Sequence, residues 1–290
     1  LSDFNIILIA VTFMAALGII LSLLLVLANK KFLVYEDPRI DEVETMLPHA
    51  NCGACGTAGC RAFAELLVQG KKEPAQCTVS SKDMSLAIAN YLGVALGKVE
   101  KRVARLACGG GNHVAVLRAS YAGLRTCRAA ALVSGGGKAC AWGCLGLGDC
   151  ESVCEFGAIS MSRNGLPQVN TDMCTACGDC VDICPKKLFE IHPVSHRLWV
   201  ACKNQEFGDA AEKWCEVACT ACERCAMDAP EGLIQIRNNL STIDYSKNAL
   251  ASPIAIQRCP TGAIVWLDDA GVQKGKNAKK VIRKEALPVM

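Results

Sequence analysis

The chain has 290 residues, enough for about two domains of ordinary size, and its 31 basic and 28 acidic residues nearly balance. That balance gives no electrostatic reason to expect nucleic acid as a partner. Twenty cysteines are the outlier, and a disulfide framework accounts for them poorly: such scaffolds are usually short secreted chains, whereas most cysteines here fall in C-x2-C steps that suit metal.

Residues 4–28 carry no charge. As a helix they would span roughly 37 Å, enough to cross a hydrocarbon core of about 30 Å. Asp3 precedes the run and Lys30-Lys31 come after it, which is the pattern of a retained anchor rather than of a cleaved signal with a basic leader. The two lysines place the rest of the chain on the cytoplasmic side of the inner membrane, as a single-pass protein. That compartment is reducing, a second argument against disulfides.

A polar link from Glu36 to Pro48 leads to Cys52, Cys55 and Cys60, with Cys77 after sixteen further residues. Gly53, Gly56 and Gly59 allow tight turns whose N–H groups can face sulfur. Four thiolates here can hold one 4Fe-4S cube, with a tetrahedral zinc as the alternative. Helices are expected from Ala62 to Leu67, ending at Gly70, and from Ser81 to about Gly97. The glycine runs 109–111 and 135–137 fit no nucleotide-binding fingerprint and read as turns near the cysteines.

Cys174, Cys177, Cys180 and Cys184-Pro185 form the C-x2-C-x2-C-x3-C-P run of bacterial ferredoxins, in which the fourth cysteine serves the other cluster. A shift of 75 residues aligns this region with the next: Cys127 falls on Cys202, Cys140 on Cys215, Cys144 on Cys219, Cys150 on Cys225 and Cys184 on Cys259. The repeat covers about 125–191 and 200–266. In copy one, Cys154, Cys174, Cys177 and Cys180 make one set. Cys144, Cys150 and Cys184 make another, with Leu147 at the missing place and Cys140 as the candidate substitute. Copy two keeps Cys219, Cys222, Cys225 and Cys259, while Ala229, Ala249, Ser252 and Ala255 replace the four ligands of the other set. Loss of all four members of one set beside an intact one supports the crossed ligation.

These sets give four 4Fe-4S clusters on sixteen cysteines. Cys108, Cys127, Cys202 and Cys215 stay open as buried thiols, a zinc or further iron site, or alternative ligands. His192 and His196 read as loop histidines. The basic tail, including Lys279, Lys280, Arg283 and Lys284, reads as a solvated terminus or a docking segment for an acidic partner or anionic lipid.

The C-x2-C-x4-C-x16-C spacing resembles the small 4Fe-4S domain of corrinoid iron-sulfur proteins and of one class of membrane redox subunit. With Asp37-Pro38-Arg39-Ile40-Asp41-Glu42-Val43, Asn51-Cys52-Gly53-Ala54-Cys55-Gly56 and Gly143-Cys144-Leu145-Gly146, the chain resembles the B subunits of Rnf complexes over about residues 4–266. The resemblance implies a membrane-bound ferredoxin:NAD oxidoreductase that pumps sodium ions or protons, in which this subunit takes electrons from soluble ferredoxin and passes them to the other subunits. Flavin and NAD would belong to those subunits, and no complete catalytic site is expected in this chain. An electron-transfer subunit of another membrane-bound dehydrogenase is the alternative. The fold expected is α+β: an anchor at 1–29, a 4Fe-4S domain at 30–100, two tandem ferredoxin-like modules at 101–195 and 196–268, and a basic tail at 269–290.

Overall fold

The computed structural model describes residues 2–32, 36–268 and 271–290. The boundary expected at residue 269 therefore lies outside the described residues. Helix α1 (Ser2–Phe32) is continuous, and its side chains from Ile7 onward are all exposed. Ile7–Phe32 is long and apolar enough to cross a membrane. Its polar content is concentrated in the last turn, at Lys30 and Lys31, where positive charge also suits the helix dipole.

The next unit is helical. α2 (Arg39–Thr45) packs on α3 (Cys60–Val68) through Ile40, Val43, Leu47, Phe63 and Leu67, which are all buried. Arg61, beside Cys60, reaches back to Glu36, Asp41 and Glu44 and ties the two helices from outside. α4 (Lys82–Leu92) begins with the Ser81 hydroxyl accepting from the Met84 N–H and ends at Gly93. The sequence pattern predicts this helix as far as Gly97. It stops four residues earlier because Gly93 adopts φ +66°, the left-handed geometry that terminates helices, and the Val94 N–H then bonds the Ala89 carbonyl.

Beyond residue 100 the chain builds two similar sets of short elements. β1 (Arg102–Leu106) starts the first, succeeded by α5 (Cys127–Leu132), α6 (Asp149–Ser152), the hairpin β2 (Ile159–Met161) and β3 (Pro167–Val169), α7 (Asp179–Ile183) and β4 (Phe189–Pro193). β4 returns to pair antiparallel with β1, Leu106 opposite Phe189. The second set runs β5 (Leu198–Val200), α8 (Asp209–Trp214), α9 (Arg224–Asp228), the hairpin β6 (Ile234–Arg237) and β7 (Leu240–Ile243), two 3-10 turns, and β8 (Ile264–Asp268), which pairs with β5 so that Val200 faces Ile264. β9 (Gly271–Gln273) adds to the edge of β8.

This pairing changes the repeat alignment. Phe189 and Ile264 are 75 residues apart, so Leu106 is the counterpart of Val200, and Cys108 rather than Cys127 is the counterpart of Cys202. The backbone agrees: Ala107 N–H bonds Leu188 O, and Ala201 N–H bonds Ala263 O, both at 2.8 Å. Cys108 and Cys202 are 94 residues apart instead of 75, so copy one carries 19 extra residues before Lys138. Part of that insertion, Val114–Leu117, runs between the copies. Val116 donates to Trp214 O, Glu216 donates to Val114 O, and Ala139 donates to Val116 O.

The tail is not free. Asn277 and Lys279 donate backbone bonds to Gln257 O and Pro260 O, and Arg283 binds His113 O and Glu216. His196 lies in the loop between β4 and β5, as expected, whereas His192 does not. His192 lies on β4 against Trp199 and Tyr245, and His196 stacks on Tyr245 with ring centroids 4.2 Å apart.

Candidate metal centres

Cys52, Cys55, Cys60 and Cys77 ring one cavity of about 310 Å³ that is floored by Phe63. Gly53 (φ +68°) and Gly56 (φ +77°) turn the chain so that both cysteines face inward. The Asn51 carboxamide accepts from the Cys60 N–H at 2.8 Å, fixing the third cysteine at the start of α3. A 3-10 turn at Pro74–Gln76 delivers Cys77. Burial pushes the Cys52 thiol up, and Cys55 and Cys77 add to it.

Cys154, Cys174, Cys177 and Cys180 surround a second cavity of about 330 Å³. α6 precedes Cys154 and α7 carries Cys180. The Ala104 N–H of β1 points at Cys174 Sγ, 3.4 Å away. Burial, then the thiols of Cys174 and Cys177, push Cys180 up to about 12. Cys219, Cys222, Cys225 and Cys259 line a third cavity of about 350 Å³, where the Ser241 hydroxyl lies 3.4 Å from Cys225 Sγ. Cys225 is raised to about 11, chiefly by burial. Cys222 is exposed, so this site reaches the surface.

The remaining expected set is assembled differently from the sequence reading. Cys150 is pushed up to about 12 by burial and next by Cys127, with Cys184 contributing; Cys144 is pushed to about 12 by burial and then by Cys108, with a smaller contribution from Cys127. Cys127 therefore lies near Cys150 and Cys144, with Cys184 also near Cys150, and it is held by Asp149, whose carboxylate accepts from the backbone N–H groups of Cys127 (2.8 Å) and Arg128 (3.1 Å). Cys140, the expected substitute for Leu147, instead lines a cavity of about 320 Å³ with Cys108, Cys202 and Cys215. The 75-residue match of Cys127 to Cys202 had hidden this regrouping. The signal that reveals it is the recurrence of Leu106-Ala107-Cys108 as Val200-Ala201-Cys202.

Where copy two lacks cysteines, the space is closed by apolar side chains. Ala255 and Ile256 are fully buried with Leu233 and Ile234, and Ala229, Leu240, Ile243 and Ala251 pack against them.

These rings suit polynuclear groups. A zinc ion needs sulfurs about 2.3 Å from one point, and among the described residues no three or more Cys, His, Asp or Glu converge closely enough to hold a single ion. The cysteines stand back around larger voids, with backbone N–H groups directed at sulfur, as around iron–sulfur clusters. The raised thiols among them, Cys150, Cys180 and Cys225 for example, mean that loading a cluster must displace protons.

An apolar N-terminal helix leading into cysteine rings of this kind defines an iron–sulfur protein with a candidate membrane anchor. Residues 47–79 match the "Putative Fe-S cluster" family, and residues 167–188 match the 4Fe-4S binding domain family. The chain is 37% identical over 278 residues to the B subunit of the Na(+)-translocating ferredoxin:NAD(+) oxidoreductase complex of Acetobacterium woodii, covering 96% of this chain and 82% of that protein. It is 40% identical over 262 residues to the proton-translocating counterpart of Clostridium ljungdahlii, covering 90% and 92%. To the B subunit of the ion-translocating oxidoreductase complex of Methanosarcina acetivorans it is 35% identical over 256 residues, covering 88% and 96%. The chain belongs to the family of Rnf complex B subunits and is a component of an ion-translocating ferredoxin:NAD oxidoreductase.

Proposed function

We propose that this chain is the multi-cluster electron relay of its complex, with 4Fe-4S clusters on four cysteine sets: Cys52, Cys55, Cys60 and Cys77; Cys154, Cys174, Cys177 and Cys180; Cys127, Cys144, Cys150 and Cys184; and Cys219, Cys222, Cys225 and Cys259. The last three sets lie in two tandem ferredoxin-like modules, and α1 anchors the chain once in the inner membrane with the modules on the cytoplasmic side. The observation that carries the reading is the adjacency of the rings. Thr78, next to Cys77, donates to the Thr175 carbonyl at 2.6 Å, so the N-terminal ring abuts that of Cys174. α6 leads from Cys150 into Cys154, and α7 from Cys180 to Cys184, so the two copy-one rings share their supporting helices.

When bound, each cluster can hold and release one electron at a potential set by its surroundings. This chain's residues supply those surroundings: burial of the sulfurs, N–H donors such as Ala104 on Cys174 and Leu188 on Cys184, and short separations. That role needs no acid, base or nucleophile. Soluble ferredoxin is the partner this reading assigns to the modules, and exposed Cys222 marks a point of access. The N-terminal ring, a short link from α1, faces the membrane subunits. Replacing Cys52, Cys55 or Cys60 should abolish ferredoxin-driven NAD reduction by the assembled complex; unchanged activity refutes the relay through that ring.

A further inference from the structure

A further cysteine-lined cavity stands outside those four sets. It is lined by Cys108, Cys140, Cys202 and Cys215, four cysteines as in each of the other cysteine-lined cavities. Its four cysteines come from the two copies as equivalent pairs. Cys108 and Cys202 each lie two residues past the end of the first strand of their copy, and Cys140 and Cys215 are 75 residues apart. The equivalence extends to hydrogen bonds: Cys144 N–H reaches Cys108 Sγ at 3.4 Å, and Cys219 N–H reaches Cys202 Sγ at 3.3 Å. Isolated backbone bridges from residues 114–117 hold the Cys140 and Cys215 segments on either side of that stretch, and Gly109 N–H bonds Ala201 O.

The lining is prepared for a large sulfur-rich group. Gly110 passes so close that an added Cβ would lie 2.9 Å from Cys215 Sγ and 3.8 Å from Cys108 Sγ. Asn204 lines the cavity at 1% exposure, and its Nδ2 donor has no partner among the described residues. An unpaired buried donor is costly, and a cluster sulfide or thiolate is an acceptor that would satisfy it. Lys138, also in the lining, places its ammonium on the carbonyls of Gly110 and Cys144 and so brings positive charge beside four potential thiolates.

We propose that Cys108, Cys140, Cys202 and Cys215 hold a fifth 4Fe-4S cluster at the junction of the two modules. The inference rests on the iron–sulfur reading of the other rings and adds the connection they lack. Cys144 belongs to the inner ring of copy one and Cys219 to the ring of copy two, and each donates its N–H to a sulfur of this fifth ring. The five rings then form one line from Cys52 to Cys222, with no member isolated, and account for all twenty cysteines.

The test is iron and acid-labile sulfide per chain in the full-length protein purified without oxygen, with Mössbauer spectra to count irons in cubes. About twenty irons per wild-type chain are expected, with about sixteen in Cys108→Ala and in Cys215→Ala. About sixteen irons in the wild type, unchanged in both variants, overturns the fifth site while leaving the four-set reading intact. A wild-type chain carrying zinc in place of iron overturns both. The wild-type count needs no variant, so it decides the matter even if a substitution prevents folding.

Discussion

Asp149 offers a sharp test of how the inner ring of copy one is closed. The residue is 7% exposed, and its carboxylate accepts from two backbone N–H groups at the start of α5, those of Cys127 and Arg128. The ion pair with Arg128 spans 3.9 Å to a largely exposed guanidinium and contributes little. Two hydrogen bonds to a buried charge, at about 1.5–3 kcal/mol each and less than additive, put the cost of Asp149→Ala at about 2–4 kcal/mol. The Thr126 hydroxyl still accepts from Ala129 N–H, so α5 keeps one cap and the damage centres on the position of Cys127. Asp149→Asn keeps one acceptor oxygen and should cost about half as much. Anaerobic denaturant unfolding gives the stability, and iron per chain gives the ligand: the Ala variant should lose about four irons. Full iron content with stability within about 0.5 kcal/mol of wild type would refute Cys127 as a ligand and return Cys140 to the place beside Cys144.

Three other outcomes rest on single contacts. Gly110→Ala should lose about four irons and about 1–3 kcal/mol, because its Cβ meets Cys215 Sγ at 2.9 Å; unaltered iron content would show that the sulfur can move aside. Thr78→Val leaves the Thr175 carbonyl without its 2.6 Å donor and should lower stability by about 0.5–1.5 kcal/mol in anaerobic unfolding, with no loss expected if the N-terminal unit is only loosely docked. Burial, then the charge of His192, holds the His196 imidazole below its ordinary pKa. The unfolded chain therefore binds the proton first, so stability should fall as the pH drops below about 6.5. His196→Phe should flatten that part of the profile, and a variant profile parallel to wild type would place the titration elsewhere.

Cysteines that lie close in sequence were legible in advance. Cys52, Cys55 and Cys60 with Cys77, and Cys174, Cys177 and Cys180 with Cys154, each fall on one cavity because C-x2-C and C-x4-C steps leave the chain few ways to turn. The crossed partner Cys259 was legible too, since the 75-residue copy preserves it where its neighbours are gone. Cys108, Cys140, Cys202 and Cys215 were not, because strand pairing rather than local spacing brings them together. The antiparallel registers of β1 with β4 and β5 with β8 decide which cysteines are equivalent, and a 19-residue insertion put Cys127 at the misleading distance of 75 from Cys202. His192 escapes a loop reading for the same reason: β4 carries it into contact with Trp199 of β5 and with Tyr245, neighbours that no local pattern announces.

Within the chain, the two copies act as each other's control. Copy two has Cys222 in its ring, and at the place equivalent to Asp149 it has the exposed Arg224. Copy one has Leu147 where Cys222 stands, and it alone has the inserted segment with Cys127 and the buried carboxylate that holds it. Three differences therefore go together: a missing cysteine, an added one, and an acceptor to fix the added one. If Cys140 filled the gap at Leu147, Asp149 would have no reason to lie buried against the Cys127 backbone, and Cys215 would lose its counterpart in the cavity between the copies. Assigning Cys127 to the inner ring explains the insertion and the buried carboxylate together, and it leaves Cys140 paired with Cys215 as the repeat requires.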